Sequence, residues 1–201
     1  LTDKATRFLR KDFKLAKIID EIGDYEISLT KNPYESLVEA IITQQLSGKA
    51  AESISKRFRG LFGRFPKPAE VLKMPVSKLR SAGLSGMKAT YIKDLSKRIE
   101  SKRLKLESLK KMNDEEVIFY LTQVKGIGRW TAEMFLIFSL GRQDVLPVGD
   151  LGLRKGVQLL YGFDELPGGV EIEQIAQKWR PYRTVATWYI WKSLKQFDKI
   201  G

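Results

Sequence analysis

Histidine and cysteine are both missing from this chain. Acid–base work near neutral pH must then fall to carboxylates, lysine, tyrosine or bound water, and no thiolate can hold an iron–sulfur cluster. One carboxylate stands in a distinctive setting. In "VLPVGDLGLRKGVQLL" (145–160) an apolar segment meets Pro147 and Gly149, and Asp150 opens an amphipathic run. Taken alone, Asp150 reads first as an N-cap, since a short carboxylate accepts the unpaired N–H groups of a first helical turn. A catalytic carboxylate is the second reading. Anion chemistry is offered by "VKGIGRWTAEMFLI" (124–137), where Gly126 and Gly128 flank Ile127. Glycines there allow φ > 0 and let another backbone come close. The first N–H groups of the next helix are unpaired and lie at its positive dipole end. A phosphate fits such a site whatever base it carries, and Lys125 and Arg129 add charge. Ile127 is expected to anchor the turn in the core. The alternative is an ordinary glycine-rich turn between helices.

Aromatic side chains supply a third element. "WRPYRTVATWYIW" (179–191) carries Trp179, Tyr182, Trp188, Tyr189 and Trp191. Trp188 and Trp191 are three apart and would share a helix face. A buried C-terminal helix accounts for the cluster, and so does a platform on which bases stack. Trp130, considered singly, reads as core.

These groups must be positioned by helices. Leu37, Ala40 and Ile41 recur at helical spacing, as do Ile54, Phe58 and Leu61. Between the two runs lies "TQQLSGKAA" (43–51), with Ser47 placed to cap the second. Further helices are expected at 88–100, 114–124, 129–141, 151–161 and 171–197, parted by the turn signals "FGRFPKP", "GLSG", "KGIG" and "LPGG". The helix after "KGIG" has little polar face and should be mostly buried. "YEISLT" (25–30) has the composition of a short strand. The fold class is all-α, with nine to eleven helices.

The composition, 43% hydrophobic and 30% charged, is that of a soluble globular chain. No apolar run approaches the ~18 residues of a membrane span, and the start lacks the hydrophobic core of a signal peptide. Lys and Arg number 36 against 24 Asp and Glu, a formal charge of +12. A chain this basic usually faces a polyanion, most often nucleic acid.

The order of these elements is more specific than any one of them. "LTQVKGIGRWTAEMF", followed about two dozen residues later by Asp150, resembles the helix–hairpin–helix DNA glycosylase superfamily. "IITQQLSGKAA", "GLSGMKATYIKDLS" and "WRPYRTVATWYIW" look like its 3-methyladenine DNA glycosylase II branch, the alkylation-repair enzymes. The resemblance runs from about Pro33 to Trp191. It implies a two-lobed all-α catalytic unit with a DNA-binding cleft between the lobes. One lobe would span about 34–142, including the helix–hairpin–helix at 114–141, and the other 1–33 plus 143–201.

By resemblance Asp150 is the catalytic carboxylate, and Trp130, Trp191 and Met134 line the base pocket. Leu46, or else Gln45, is the wedge that fills the gap left by an extruded base. Gly126, Gly128, Lys125, Arg129 and Thr131 contact DNA phosphate. Backbone carbonyls of Thr122, Val124 and Ile127 hold a monovalent cation, sodium or potassium. Many relatives carry two adjacent acids where this chain has Gly149 and Asp150, and Met134 stands where the bacterial inducible enzyme has a tyrosine, which alters the pocket. The lyase-active relatives place a lysine where Trp130 stands. The implied activity is therefore monofunctional: hydrolytic excision of cationic alkylated purines such as 3-methyladenine from double-stranded DNA, starting base excision repair. No cofactor is required for the chemistry and no iron–sulfur cluster is held. The implied protein is an intracellular monomer, in the cytoplasm or nucleoid of a prokaryote or the nucleus of a eukaryote, without a membrane partner. Two rivals remain: a glycosylase for deaminated, etheno or oxidised bases, and a non-catalytic helix–hairpin–helix protein that binds DNA structure.

Overall fold

The computed structural model describes residues 2–46 and 48–197; Ser47, the expected cap, lies outside the described residues. Among them the chain forms twelve α-helices: α1 (Thr2–Leu9), α2 (Phe13–Ile22), α3 (Pro33–Thr43), α4 (Gly48–Gly60), α5 (Pro68–Lys73), α6 (Val76–Ser81), α7 (Gly86–Glu100), α8 (Asp114–Thr122), α9 (Arg129–Phe138), α10 (Leu151–Tyr161), α11 (Gly169–Ala176) and α12 (Arg183–Phe197). Two 3-10 segments, Leu106–Lys111 and Gln177–Trp179, complete the regular structure. The fold is all-α.

Three departures from the sequence reading have physical reasons. Residues 25–30 form no strand; no second extended segment among the described residues supplies the ladder bonds a strand needs. The helix count exceeds eleven because α5 and α6 have only six residues each, too few for an apolar period to register. The stretch 171–197 is broken in the middle. Pro181 has no N–H to continue a helix and disfavours helical backbone at the residue before it, and Arg180 is accordingly extended at ψ 138°.

The chain divides into two compact units, one made of residues up to Leu29 with those from Leu136 onward, the other of Thr30–Phe135. The second junction falls inside α9, whereas the sequence offered the turn after it as the place to divide.

In the first unit α12 packs on α10, α2 and α1. The core includes Leu15, Ile18, Ile19, Leu153, Val157, Tyr189 and Ile190, each large side chain contributing on the order of 1.5–3 kcal/mol by leaving water. Gly156 lets α10 come this close to α12, since a Cβ there would meet Ile190 Cγ2 at 2.2 Å. Asp12 ties three elements together. It caps α2 through Lys14 N at 3.1 Å, accepts Trp179 Nε1 at 3.1 Å and the Tyr161 hydroxyl, and pairs with Lys178 Nζ at 2.9 Å. Burial alone would raise its pKa, but these bonds outweigh burial and hold the carboxyl below its ordinary value. The segment after α9 is fastened to the start of α12: Asp144 takes Arg183 Nε at 2.7 Å, and Thr184 Oγ1 donates to Arg142 O at 2.8 Å and accepts Val145 N at 3.0 Å.

In the second unit α7 packs on α3, α5 and α6, and α3 on α4. Leu37, Val38, Ile41, Phe58, Val71, Leu79, Ile92, Leu95 and Leu121 are fully buried. Side chains mark the helix starts as their chemistry requires: Asn32 caps α3, Ser85 caps α7, and Asn113 with Glu116 forms a capping box on α8.

Candidate functional site

The hairpin between α8 and α9 answers why two glycines stand there. Gly126 has φ +83°, and a Cβ on it would lie 2.1 Å from Cδ2 of Tyr91; no other residue fits. Gly128 faces open space, with nothing within 4 Å of where a Cβ would be. The first glycine is therefore demanded by the protein's own packing, and the second leaves room outside it. Ile127 is buried as the anchor, and its N–H donates to Val124 O at 3.1 Å.

Two side chains distant in sequence hold the hairpin's backbone. Asp94 Oδ2 accepts Lys125 N at 3.0 Å, and Gln44 Nε2 donates to Gly126 O at 2.7 Å. Burial would raise the Asp94 pKa, but the Lys125 N–H and the Arg98 guanidinium hold it below the usual carboxylate range. Gln44 also begins the loop after α3. Lys88 Nζ donates to Ile42 O at 2.8 Å and Gln44 O at 2.6 Å, satisfying carbonyls that the end of α3 leaves open. Beyond Gln44, Gln45 takes left-handed backbone at φ 55°, costing a non-glycine residue roughly 1–3 kcal/mol. Gln45 and Leu46 are both exposed. The two expected wedge residues thus sit on a loop bonded to the hairpin on one side and to α7 on the other. No local pattern assigned these contacts to Gln44, Lys88, Tyr91 or Asp94, since the hairpin and loop groups they meet lie 31 to 82 residues away.

α9 is buried over most of its length, as its composition requires. Its first turn differs. Trp130 is 48% exposed whereas Trp179 is 0%, so the core reading of Trp130 does not hold. Met134, one turn on, is half-buried. Two of the expected phosphate contacts look different in three dimensions. Thr131 is buried, which removes its hydroxyl from the surface. The Arg129 guanidinium is bound by Glu115 and, at 3.1 Å, by Glu133, and these carboxylates raise its pKa against the cost of burial. What this turn still presents to an anion is backbone N–H and the exposed Lys125. The carbonyls of Thr122, Val124 and Ile127 close the C-terminal end of α8 and the hairpin. Such oxygens carry partial negative charge and suit a hard cation rather than a soft one.

The carboxylate lies in the other unit. Asp150 is the N-cap of α10: its Oδ1 accepts Leu153 N at 2.6 Å, so the first reading of this residue is correct as far as it goes. The same Oδ1 accepts Trp191 Nε1 at 2.7 Å. Trp191, on α12, stacks on Phe138 with centroids 6.1 Å apart and planes 17° apart. Trp188 does something else; it is buried edge-on against Tyr25. The structure thus brings Asp150 and Trp191 together, and separately Gly126 and Lys125 with the base of the wedge loop.

Known proteins share this fold. A family model described as "HhH-GPD superfamily base excision DNA repair protein" matches residues 38–181. The chain is similar to DNA-3-methyladenine glycosylase 1 of Schizosaccharomyces pombe, 37% identical over 188 residues that cover 90% of this chain and 82% of that protein. Among solved structures, it resembles the Schizosaccharomyces pombe 3-methyladenine DNA glycosylase in complex with abasic DNA, with a TM-score of 0.87, 36% identity, and coverage of 96% of this chain and 97% of that one. It also resembles the DNA-3-methyladenine glycosidase of Bacillus halodurans, with a TM-score of 0.86, 41% identity, and coverage of 96% and 89%.

Proposed function

The chain belongs to the HhH-GPD superfamily of base excision DNA repair proteins, and on that premise we propose that it is a monofunctional DNA glycosylase that hydrolyses the N-glycosidic bond of alkylated purines such as 3-methyladenine. The observation that carries the reading is the carboxylate of Asp150, fixed through one oxygen by the first turn of α10 and the Trp191 indole.

Breaking an N-glycosidic bond builds positive charge on the sugar. A carboxylate held in place stabilises that charge and orients the attacking water, and pre-organised electrostatics of this kind is usually the largest catalytic term. A purine alkylated at N3 or N7 is already cationic and departs without a protonating acid. That suits a chain without histidine. The bond breaks with its electron pair going to the base; water adds to C1′ and its proton leaves. An intact abasic site results, since Trp130 offers no amine for a Schiff base.

The target base must leave the stack, at a cost of a few kcal/mol. Leu46 is the proposed wedge, with Gln45 beside it on the same exposed loop; an apolar side chain in the gap offsets part of the unstacking. The exposed indole of Trp130 is the proposed stacking surface, and its π face favours a cationic ring. Met134 borders it one turn further along α9. Gly126, Gly128 and Lys125 are the proposed phosphate contacts, made through backbone N–H groups and one ammonium. The carbonyls of Thr122, Val124 and Ile127 are the proposed seat of a sodium or potassium ion that would bring further positive charge to the phosphate. Double-stranded DNA is the partner, and the protein acts inside the cell as a monomer. No helix among the described residues is long and apolar enough to cross a membrane.

The test is release of free bases from methylated duplex DNA, identified by mass spectrometry, for wild type and Asp150→Asn. Asparagine caps a helix as well as aspartate does and keeps an oxygen for Leu153 and Trp191, so only the charge is removed. Wild type should release 3-methyladenine. The variant should lose at least about a hundredfold in rate, the order seen when one electrostatic stabiliser is removed, and still bind abasic DNA. Undiminished release by Asp150→Asn would remove the carboxylate from the mechanism, and borohydride trapping of a covalent adduct would contradict the monofunctional assignment.

A further inference from the structure

A second basic site, built from other residues, lies in the same unit as the hairpin. The connector between α7 and α8 reads "SKRLKLESLKKMN" (101–113). With Tyr120 of α8 it encloses a cavity of about 220 Å³ lined by Lys102, Arg103, Lys105, Ser108, Met112 and Tyr120, with Leu104 and Leu109 below. Three cations, two hydroxyls and no carboxylate face this space.

Four arginines of this unit meet carboxylates: Arg59 with Glu35 and Glu39, Arg64 with Glu70, Arg98 with Asp94, Arg129 with Glu115 and Glu133. Among the described residues no ion pair joins Lys102, Arg103 or Lys105 to a carboxylate, and all three are exposed. Lys102 also takes left-handed backbone, φ 58°, directly after the end of α7, a position where glycine or asparagine is the usual occupant. Beside the cations α8 places Tyr120, 42% accessible, and against Tyr120 stands Phe119, 62% accessible, their centroids 5.7 Å apart. Core packing explains neither ring's presence.

We propose that this connector and the outer face of α8 bind single-stranded nucleic acid, the phosphates meeting Lys102, Arg103 and Lys105 and unstacked bases meeting Tyr120 and Phe119. Cations beside exposed aromatic rings are the recurring means of holding a strand without reading its sequence. A duplex would use the charge but not the rings, because its bases are already stacked. The cavity is smaller than the roughly 300–1,000 Å³ of pockets that enclose a whole small ligand. It suits one unit of a polymer that continues across the surface.

The experiment is fluorescence anisotropy of a labelled oligothymidylate with the full chain, over a range of salt. The triple variant Lys102→Gln, Arg103→Gln, Lys105→Gln should weaken binding at least about tenfold. It should also reduce the slope of log affinity against log salt by about 2, because each phosphate neutralised on a single strand accounts for about 0.7 of that slope. Tyr120→Ala should weaken binding several-fold with the salt slope unchanged, which separates stacking from charge. Base release from methylated duplex should stay within about twofold of wild type in both, so this site and the glycosylase reading stand or fall separately. Oligothymidylate binding that survives the triple variant and is abolished by Lys125→Ala would overturn the proposal, placing the strand on the hairpin. Equal weakening for oligothymidylate and undamaged duplex would also overturn it, reducing the patch to general attraction for phosphate.

Discussion

At the scale of single residues, Asp150 does two jobs with one oxygen. Oδ1 accepts both the Leu153 N–H and the Trp191 indole N–H, so the cap and the orientation of the carboxylate are set by the same atom. A residue that reads as an N-cap from its neighbours is an N-cap; capping and catalysis are compatible because each uses the group's fixed direction. In the proposed mechanism Trp191 is then a positioning residue as well as a ring. Replacing it with phenylalanine keeps the stack on Phe138 and removes only the donor. A hydrogen bond to a charged group is worth about 1.5–3 kcal/mol, and about 1.4 kcal/mol removed from transition-state stabilisation is tenfold in rate. Trp191→Phe should therefore lower kcat for 3-methyladenine release about tenfold with KM within about twofold. A raised KM at unchanged kcat would mean that the indole serves by stacking alone.

At the scale of elements, the hairpin's two glycines have different surroundings: Gly126 is pressed against Tyr91 and Gly128 faces open space. The motif was legible in the sequence as a pair of glycines before an apolar helix, but the pair could not be told apart there. The difference depends on Tyr91, 35 residues earlier in the chain. Periodicity reports one helix face at a time, so bonds that join faces, such as Gln44 to Gly126 or Asp94 to Lys125, leave no local trace. The long helices were legible for the same reason that the six-residue α5 and α6 were not. Trp130 taken singly reads as core by its type, whereas the resemblance set it facing a base; it lies exposed on the first turn, before α9 becomes buried. Gly126→Ala should destabilise the protein by about 1–3 kcal/mol from overpacking against Tyr91, with added strain at positive φ, and thermal melting will show it. Gly128→Ala should melt within a degree or two of wild type and yet bind abasic duplex several-fold more weakly, because the new methyl group occupies the space a phosphate needs. A reversal of the two phenotypes would show that the packing around Tyr91 is not what demands glycine at 126.

For the whole molecule, the net charge of +12 indicates a polyanion as partner, and the structure shows that the count overstates the charge available at the hairpin. Arg129, adjacent to the hairpin turn in sequence, is held by Glu115 and Glu133, whereas Lys125 is exposed and its backbone alone is tied down, by Asp94. Spacing along α9 offers Glu133, four residues on, as one partner of Arg129, but the second carboxylate, Glu115, comes from the start of α8 and leaves no local trace. Affinity for duplex DNA falls with salt because each neutralised phosphate releases counterions, by about 0.9 in the log–log slope per phosphate. Lys125→Ala should reduce that slope by about 0.9. The paired change Arg129→Gln with Glu115→Gln removes one charge of each sign and should leave the slope where it is in wild type. Titrations of abasic duplex at several salt concentrations decide the matter. If the paired change reduces the slope as much as Lys125→Ala does, Arg129 leaves its carboxylates on binding and reaches the phosphate after all; if only Lys125 matters, the hairpin holds DNA with backbone N–H groups and a single ammonium.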